Sequence, residues 1–162
     1  MNLLQRAIEI AVHAHAGQVD KGGNLYLPHP LRLMLRMATD EVHIVAVLHD
    51  VIEDTSWTLP KLAAEGFPPA ILAALHNLTR NSAEDYETFI SRSASNPLSA
   101  VVKLADLEDN SDLSRIKSPT ALDYERKAKY QRAIDQIRSS WAGNPARSVL
   151  SGGPPFSHET SK

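Results

Sequence analysis

The chain has 162 residues, about one domain at roughly 150 residues per domain, with no room for a second full catalytic module. Lys and Arg number 17 against 19 Asp and Glu, a net charge of -2, so no global basic field is available to hold a nucleic acid. Hydrophobic residues at 43% and charged residues at 22% exclude a disordered chain or a membrane protein, and Cys 0 excludes disulfide scaffolds, thiolate zinc sites and cysteine nucleophiles.

The first segment, Met1 to Gly17, carries Leu4, Ile8, Ala11 and Val12 at helical spacing. Gln5, Arg6 and Glu9 interrupt any secretion-signal core, so this is a helix that stays and the expected location is the cytoplasm. Gly17 to Pro28 (GQVDKGGNLYLP) holds three glycines and a closing proline, which marks a loop with special backbone needs directly before His29-Pro30. Leu31, Leu35 and Ala38 form the next apolar stripe. Val42, Val45, Ala46 and Leu48 then open a helix running to Ile52.

Thr58 is a candidate cap ahead of Leu59 to Glu65, and Pro68-Pro69 separates that short helix from one reaching about Thr79. Ser82-Ala83-Glu84-Asp85 reads as a capping box, while Asn96-Pro97 and Ser118-Pro119 each set an N-cap ahead of a proline at the first helical position. A late helix presents Tyr130, Ile134, Ile137 and Trp141 on one face. The pattern predicts a single-domain, all-α fold of about eight helices over residues 1–143, followed by a mobile Gly/Pro/Ser-rich tail over 144–162. No apolar run approaches the roughly 20 residues of a membrane span.

Chemistry concentrates in few places. His49-Asp50-Val51-Ile52-Glu53-Asp54 ends the second apolar helix, and on a continuous helix Glu53 lies four after His49 and Asp54 four after Asp50. Three carboxylates so close repel one another unless a cation holds them. His29 is flanked by Pro28 and Pro30, and Asp106 is the one acid of Val101-Val102-Lys103-Leu104-Ala105-Asp106. Together His29, His49, Asp50 and Asp106 offer a nitrogen and oxygen shell suited to Mn²⁺, Fe²⁺ or another divalent ion. His13, His15, His43 and His76 read as non-ligands, since His13 and His15 point to different sides of one helix.

The pattern His29, His49-Asp50, Asp106 resembles that of the HD-domain metal-dependent phosphohydrolases. AVHAHAGQVDKGGNLYLPHP from Ala11, LHDVIEDT from Leu48 and KLADLEDN from Lys103 are similar to the motifs of the alarmone hydrolase branch: the RelA/SpoT hydrolase domain and the stand-alone small alarmone hydrolases. The similarity spans roughly residues 5 to 140. It implies a manganese-type, metal-dependent 3′-pyrophosphohydrolase of the stringent response, removing the 3′-diphosphate from (p)ppGpp or (p)ppApp to give the nucleotide and pyrophosphate. The chain's length leaves no room for the synthetase domain of the larger members. The resemblance assigns the metal to His29, His49, Asp50 and Asp106, and catalysis at the attacking water or leaving group to Glu53 and Asp54. Substrate contacts fall to Lys21, Tyr26 and Asn110, with Lys103 near phosphate and Tyr130 on the nucleotide wall. The implied partner is a small nucleotide, with no nucleic acid or membrane, and the oligomeric state stays open.

Three positions depart from that family. Asp20 stands where guanosine-specific members carry Arg, Leu25 replaces a Pro, and Asp112 replaces a second Arg. Loss of two cations leaves the metal site intact and opens the choice between guanine and adenine, with Arg115 a possible substitute cation. Two further readings share the metal shell: an HD-family nucleotidase acting on nucleoside monophosphates, and a non-catalytic nucleotide-binding HD domain.

Overall fold

The computed structural model describes residues 2–150. Its helices are α1 (Leu3–Ala14), α2 (Pro28–Leu35), α3 (Asp40–Leu48), α4 (Val51–Asp54), α5 (Leu59–Ala64), α6 (Pro69–Leu78), α7 (Tyr86–Ser93), α8 (Pro97–Asn110) and α9 (Ala121–Ser140). Short 3-10 turns occupy Leu113–Arg115 and Pro145–Leu150. Among the described residues there is no strand, only an isolated antiparallel bridge between Val19 and Leu25. No helix there is long and apolar enough to cross a membrane.

Capping chemistry sets most boundaries. Asn2 caps α1 by accepting from Leu4 N at 2.8 Å, and Asn96 caps α8 by accepting from Ser99 N at 3.0 Å. Thr58 and Pro68-Pro69 bracket α5 and α6 where expected. Two expected starts move. α7 begins only at Tyr86, because Asp85 caps it through Thr88 N at 2.7 Å while Glu84 turns away to Arg92. α9 begins at Ala121, not at Pro119: Thr120 N donates to Asp123 Oδ2 at 2.8 Å, a capping box two residues beyond the Ser-Pro pair.

Two hydrophobic clusters share one helix. The first gathers α1, α2, α3, α5 and α6 against Val102 and Ala105 of α8. The second packs Phe89 and Ile90 of α7 and Ile134 and Ile137 of α9 against Ala100, Leu104 and Leu107 of α8. Each fully buried Leu or Ile contributes about 1.5–3 kcal/mol. Of the stripe expected at Leu31, Leu35 and Ala38, Leu31 packs on the first cluster, whereas Leu35 is 62% exposed and a buried row runs through His29, Leu33 and Met37. That i, i+4, i+8 row puts His29 on the core-facing side of its helix. Within the segment 144–162 expected as a tail, Ala146 and Leu150 pack on the second cluster. The remainder of that tail, 151–162, lies outside the described residues.

Candidate metal centre and nucleotide cleft

Four side chains from three elements meet at one point. Pro28 and Pro30 sit in the first turn of α2 and fix His29 there. His49 and Asp50 lie between α3 and α4, so the helix expected to run unbroken to Ile52 is interrupted at these two candidate ligands. The cause is local. His49 Nδ1 donates to the Ala46 carbonyl at 2.7 Å, the carbonyl that Asp50 N–H would take in a continuous helix. Asp54 N still donates to Asp50 O at 2.9 Å, which keeps Glu53 and Asp54 one turn beyond the ligands.

The donor atoms converge. His29 Nε2 lies 3.3 Å from His49 Nε2, 3.2 Å from Asp106 Oδ1 and 3.9 Å from Asp50 Oδ2. His49 Nε2 lies 2.9 Å from Asp50 Oδ2 and 3.7 Å from Asp106 Oδ1. His29, His49 and Asp50 each present a ligand atom within 4.8 Å of the others.

Each partner is oriented from behind. His29 Nδ1 donates to Asp109 Oδ2 at 2.6 Å and His49 Nδ1 to Ala46 O, so both rings turn Nε2 inward. Asp106 Oδ2 accepts from Lys103 Nζ at 2.8 Å and Oδ1 from Asn110 Nδ2 at 2.7 Å, three residues of one face of α8. Tyr26 OH donates to Asp50 Oδ2. With Nδ1 spent, each inward Nε2 must take a second proton or give its lone pair to a cation. Two such nitrogens against two carboxylates are a donor set that fits a divalent ion.

Electrostatics follow the same geometry. Burial opposes a charge on His29, yet hydrogen bonds to Asp106 and Asp109 outweigh it and hold its basicity above the ordinary value. Burial opposes charge on His49 too, and Asp50 with Asp106 lifts it well above that value. Asp106, raised by burial, is carried well below the usual carboxylate range by Lys103, His29 and His49. Glu53 and Asp54 go the other way: burial first, then the charge of Asp50, holds both above the ordinary carboxylate value. A carboxyl so shifted is better suited to exchanging protons near neutral pH.

Beside the centre lies a cleft of about 310 Å³ lined by Lys21, Tyr26, Asn110, Arg115, Arg126 and Tyr130. The loop that forms one wall is shaped by Asp20, whose Oδ1 accepts from Gly22 N at 2.8 Å and Asn24 N at 2.9 Å. Gly23 adopts φ 80°, open to glycine without cost. At Gly22 a Cβ would stand 2.6 Å from the Arg115 carbonyl, so only glycine lets this loop touch the chain after α8.

No family model matches the chain. It is 33% identical over 119 residues, 66% of this chain and 17% of the relative, to the guanosine-3′,5′-bis(diphosphate) 3′-pyrophosphohydrolase of Aquifex aeolicus. It is also 33% identical over 131 residues, 74% of this chain and 18% of the relative, to the bifunctional (p)ppGpp synthase/hydrolase RelA of Mycobacterium tuberculosis. The chain thus spans about a sixth of the length of these curated relatives. Its fold matches that of a metazoan SpoT orthologue, described as hydrolysing ppGpp, with a TM-score of 0.71 at 20% identity, covering 93% of each chain. The chain belongs to the HD-domain family that contains the RelA/SpoT hydrolase domain.

Within this HD domain, the sequence-selected residues fall into two groups. His29, His49, Asp50 and Asp106 come together, and Tyr26, Lys103 and Asn110, expected at substrate, each hydrogen-bond a carboxylate of that set. Lys21 and Tyr130 line the cleft. Arg115, weighed as a substitute cation, is engaged with Asp109 at 3.2 Å and Asp112 at 3.3 Å. Asp112 itself caps Ser114 N at 2.9 Å.

Three residues escaped sequence reasoning. Asp109 binds His29 and takes Arg32 at 2.9 Å on each oxygen. Its signal was a second acid three residues after Asp106 on the same helix. Gln18 donates to Asp54 Oδ2 at 3.3 Å and accepts from His15 Nδ1 at 2.8 Å, tying one candidate catalytic acid to a buried histidine. His15 Nε2 has no hydrogen-bond partner among the described residues, and its ring lies 4.9 Å from that of Tyr26.

Proposed function

We propose that this HD domain is a metal-dependent 3′-pyrophosphohydrolase of purine alarmones, (p)ppGpp or (p)ppApp. The observation that carries the reading is the inward convergence of His29, His49, Asp50 and Asp106 beside two carboxyl groups of raised pKa, Glu53 and Asp54, and a nucleotide-sized cleft. Relatives named as pyrophosphohydrolases of guanosine bis(diphosphate) support the same substrate class.

His29, His49, Asp50 and Asp106 would hold the ion, Mn²⁺ or a similar divalent cation. When bound, such an ion lowers the pKa of a water and polarises a phosphoryl oxygen. Glu53 and Asp54 take the proton of the attacking water and return one to the ribose O3′. The balance is one water across the O3′–P bond: hydroxide to phosphorus, proton to O3′, with the nucleotide and pyrophosphate released. Lys21 and Tyr130 flank the nucleoside, while Tyr26, Lys103 and Asn110 fix the ligand carboxylates. Asp20 and Asp112 spend their oxygens on loop amides. Without the stacking guanidinium of guanosine-specific members at position 20, the cleft favours a changed base preference.

The test is metal-free protein given Mn²⁺ and, in parallel, ppGpp, ppApp, GMP and AMP, with products separated by anion exchange. Pyrophosphate from ppApp alone ties Asp20 and Asp112 to an adenine preference, and pyrophosphate from ppGpp makes them tolerated variation. Phosphate from the monophosphates, with both alarmones intact, overturns the reading in favour of a nucleotidase.

A further inference from the structure

Two cations converge on one aromatic ring away from the nucleotide cleft. Lys129 Nζ lies 3.8 Å and the Arg80 guanidinium carbon 5.7 Å from the centroid of Tyr86. Neither is within ion-pair distance of a carboxylate among the described residues. The Tyr86 hydroxyl is buried and, among the described residues, has no hydrogen-bond partner. A buried hydroxyl without a partner is costly, and an acceptor arriving there would recover that cost.

This cluster adjoins the metal centre on its Glu53 side. Arg80 N donates to Glu53 Oε1 at 2.8 Å. The Tyr86 ring lies 6.5 Å from that of Phe89, and Phe89 in turn carries Lys103 Nζ at 4.9 Å, the amine that holds Asp106. On α9, Lys129 sits next to Tyr130 and one turn from Arg126, both on the cleft wall. Lys129 is held below its ordinary basicity by burial, then by Arg80, Arg132 and Lys103. Glu84 feels the charge of Arg80 but is itself paired with Arg92, and repulsion among these neighbouring cations is relieved by a bound anion, most by a multiply charged one.

We propose that Arg80, Lys129 and the Tyr86 hydroxyl form an anion subsite for the diphosphate that the reaction transfers to water. The inference rests on the alarmone hydrolase reading and deepens it by placing the two ends of the substrate. The nucleoside lies against Lys21 and Tyr130, and the diphosphate extends from the side of the residues that would hold the metal toward Arg80 and Lys129. A diphosphate against the ligand carboxylates alone would meet net negative charge. The two cations supply what those carboxylates lack.

Calorimetry with inorganic pyrophosphate on the metal-loaded full chain tests this without turnover. Arg80→Gln and Lys129→Gln each weaken pyrophosphate binding by roughly tenfold, as loss of one charged hydrogen bond predicts. Lys129→Arg retains it, and metal content and affinity for AMP or GMP stay as in the unaltered protein. Unchanged pyrophosphate affinity in both glutamine variants overturns the subsite, as does an equal loss toward the monophosphates. If neither alarmone is cleaved yet the variants lose pyrophosphate selectively, the hydrolase reading falls and the subsite stands.

Discussion

At the scale of single residues, Asp109 carries more than its place outside the ligand set suggests. It fixes the His29 ring through Nδ1 and is itself clamped by Arg32 and Arg115, with its carboxyl held below the ordinary range despite burial. Partners behind a metal-ligating histidine are worth about 10–100-fold in metal affinity. Asp109→Asn is therefore expected to bind Mn²⁺ 10–100-fold more weakly, measured by competition with a chelating dye, while its helical circular dichroism is unchanged. Equal affinity would remove Asp109 from the metal centre. The four side chains that converge were legible in the sequence because each sits in a short local pattern: proline-flanked His29, the His49-Asp50 pair, and Asp106 alone in an apolar stretch. Asp109 was not, because only the tertiary meeting of α2 and α8 makes it a partner of His29.

Among the elements, the ends of helices decide more than their middles. Arg92 of α7 closes the end of α6 by donating to His76 O at 2.5 Å and Thr79 O at 2.8 Å, and pairs with Glu84 in the connecting turn. These bonds satisfy carbonyls that a helix end leaves open. The Arg92 hydrogen bond, helped by Asn81 N, holds Glu84 down at about 2. Its folded pKa is below the unfolded one, so its contribution is complete above about 4.5 and fades as pH falls toward about 2. Melting temperatures of the unaltered protein and Glu84→Gln should thus differ near pH 6 and converge near pH 2. A gap independent of pH would refute the assignment to this ion pair. The same turn shows where sequence reading of elements stopped. Ser82-Ala83-Glu84-Asp85 matches a capping box by spacing, with Ser82 as the cap and Asp85 three residues on, yet Arg92 holds Glu84 in the connecting turn and Asp85 itself becomes the cap.

Across the whole molecule, α8 is the wall shared by both hydrophobic clusters. Val102 and Ala105 face one, Ala100, Leu104 and Leu107 the other, and Asp106 projects between them toward the imidazoles. Ile137 is fully buried in the second cluster, and Ile137→Ala is expected to cost about 2–5 kcal/mol. Because α8 couples the halves, that variant should still unfold in one calorimetric transition, releasing metal at the same temperature. Two separate transitions would show that the clusters are independent. All-α architecture and the late amphipathic face were readable from periodicity alone. The division into two clusters was not, since both faces of α8 are apolar and spacing does not say which neighbour covers which face.

One consequence concerns how such a domain can be inherited. His29, His49 and Asp50 belong to the half built around α3, whereas Asp106 rides on the helix that the other half also needs. No break in the gene between these halves yields a piece that keeps the full ligand set together with a complete core on both sides of it. Recombination can append modules to this unit or strip them away, but it cannot subdivide it, so its chemistry travels as an indivisible whole.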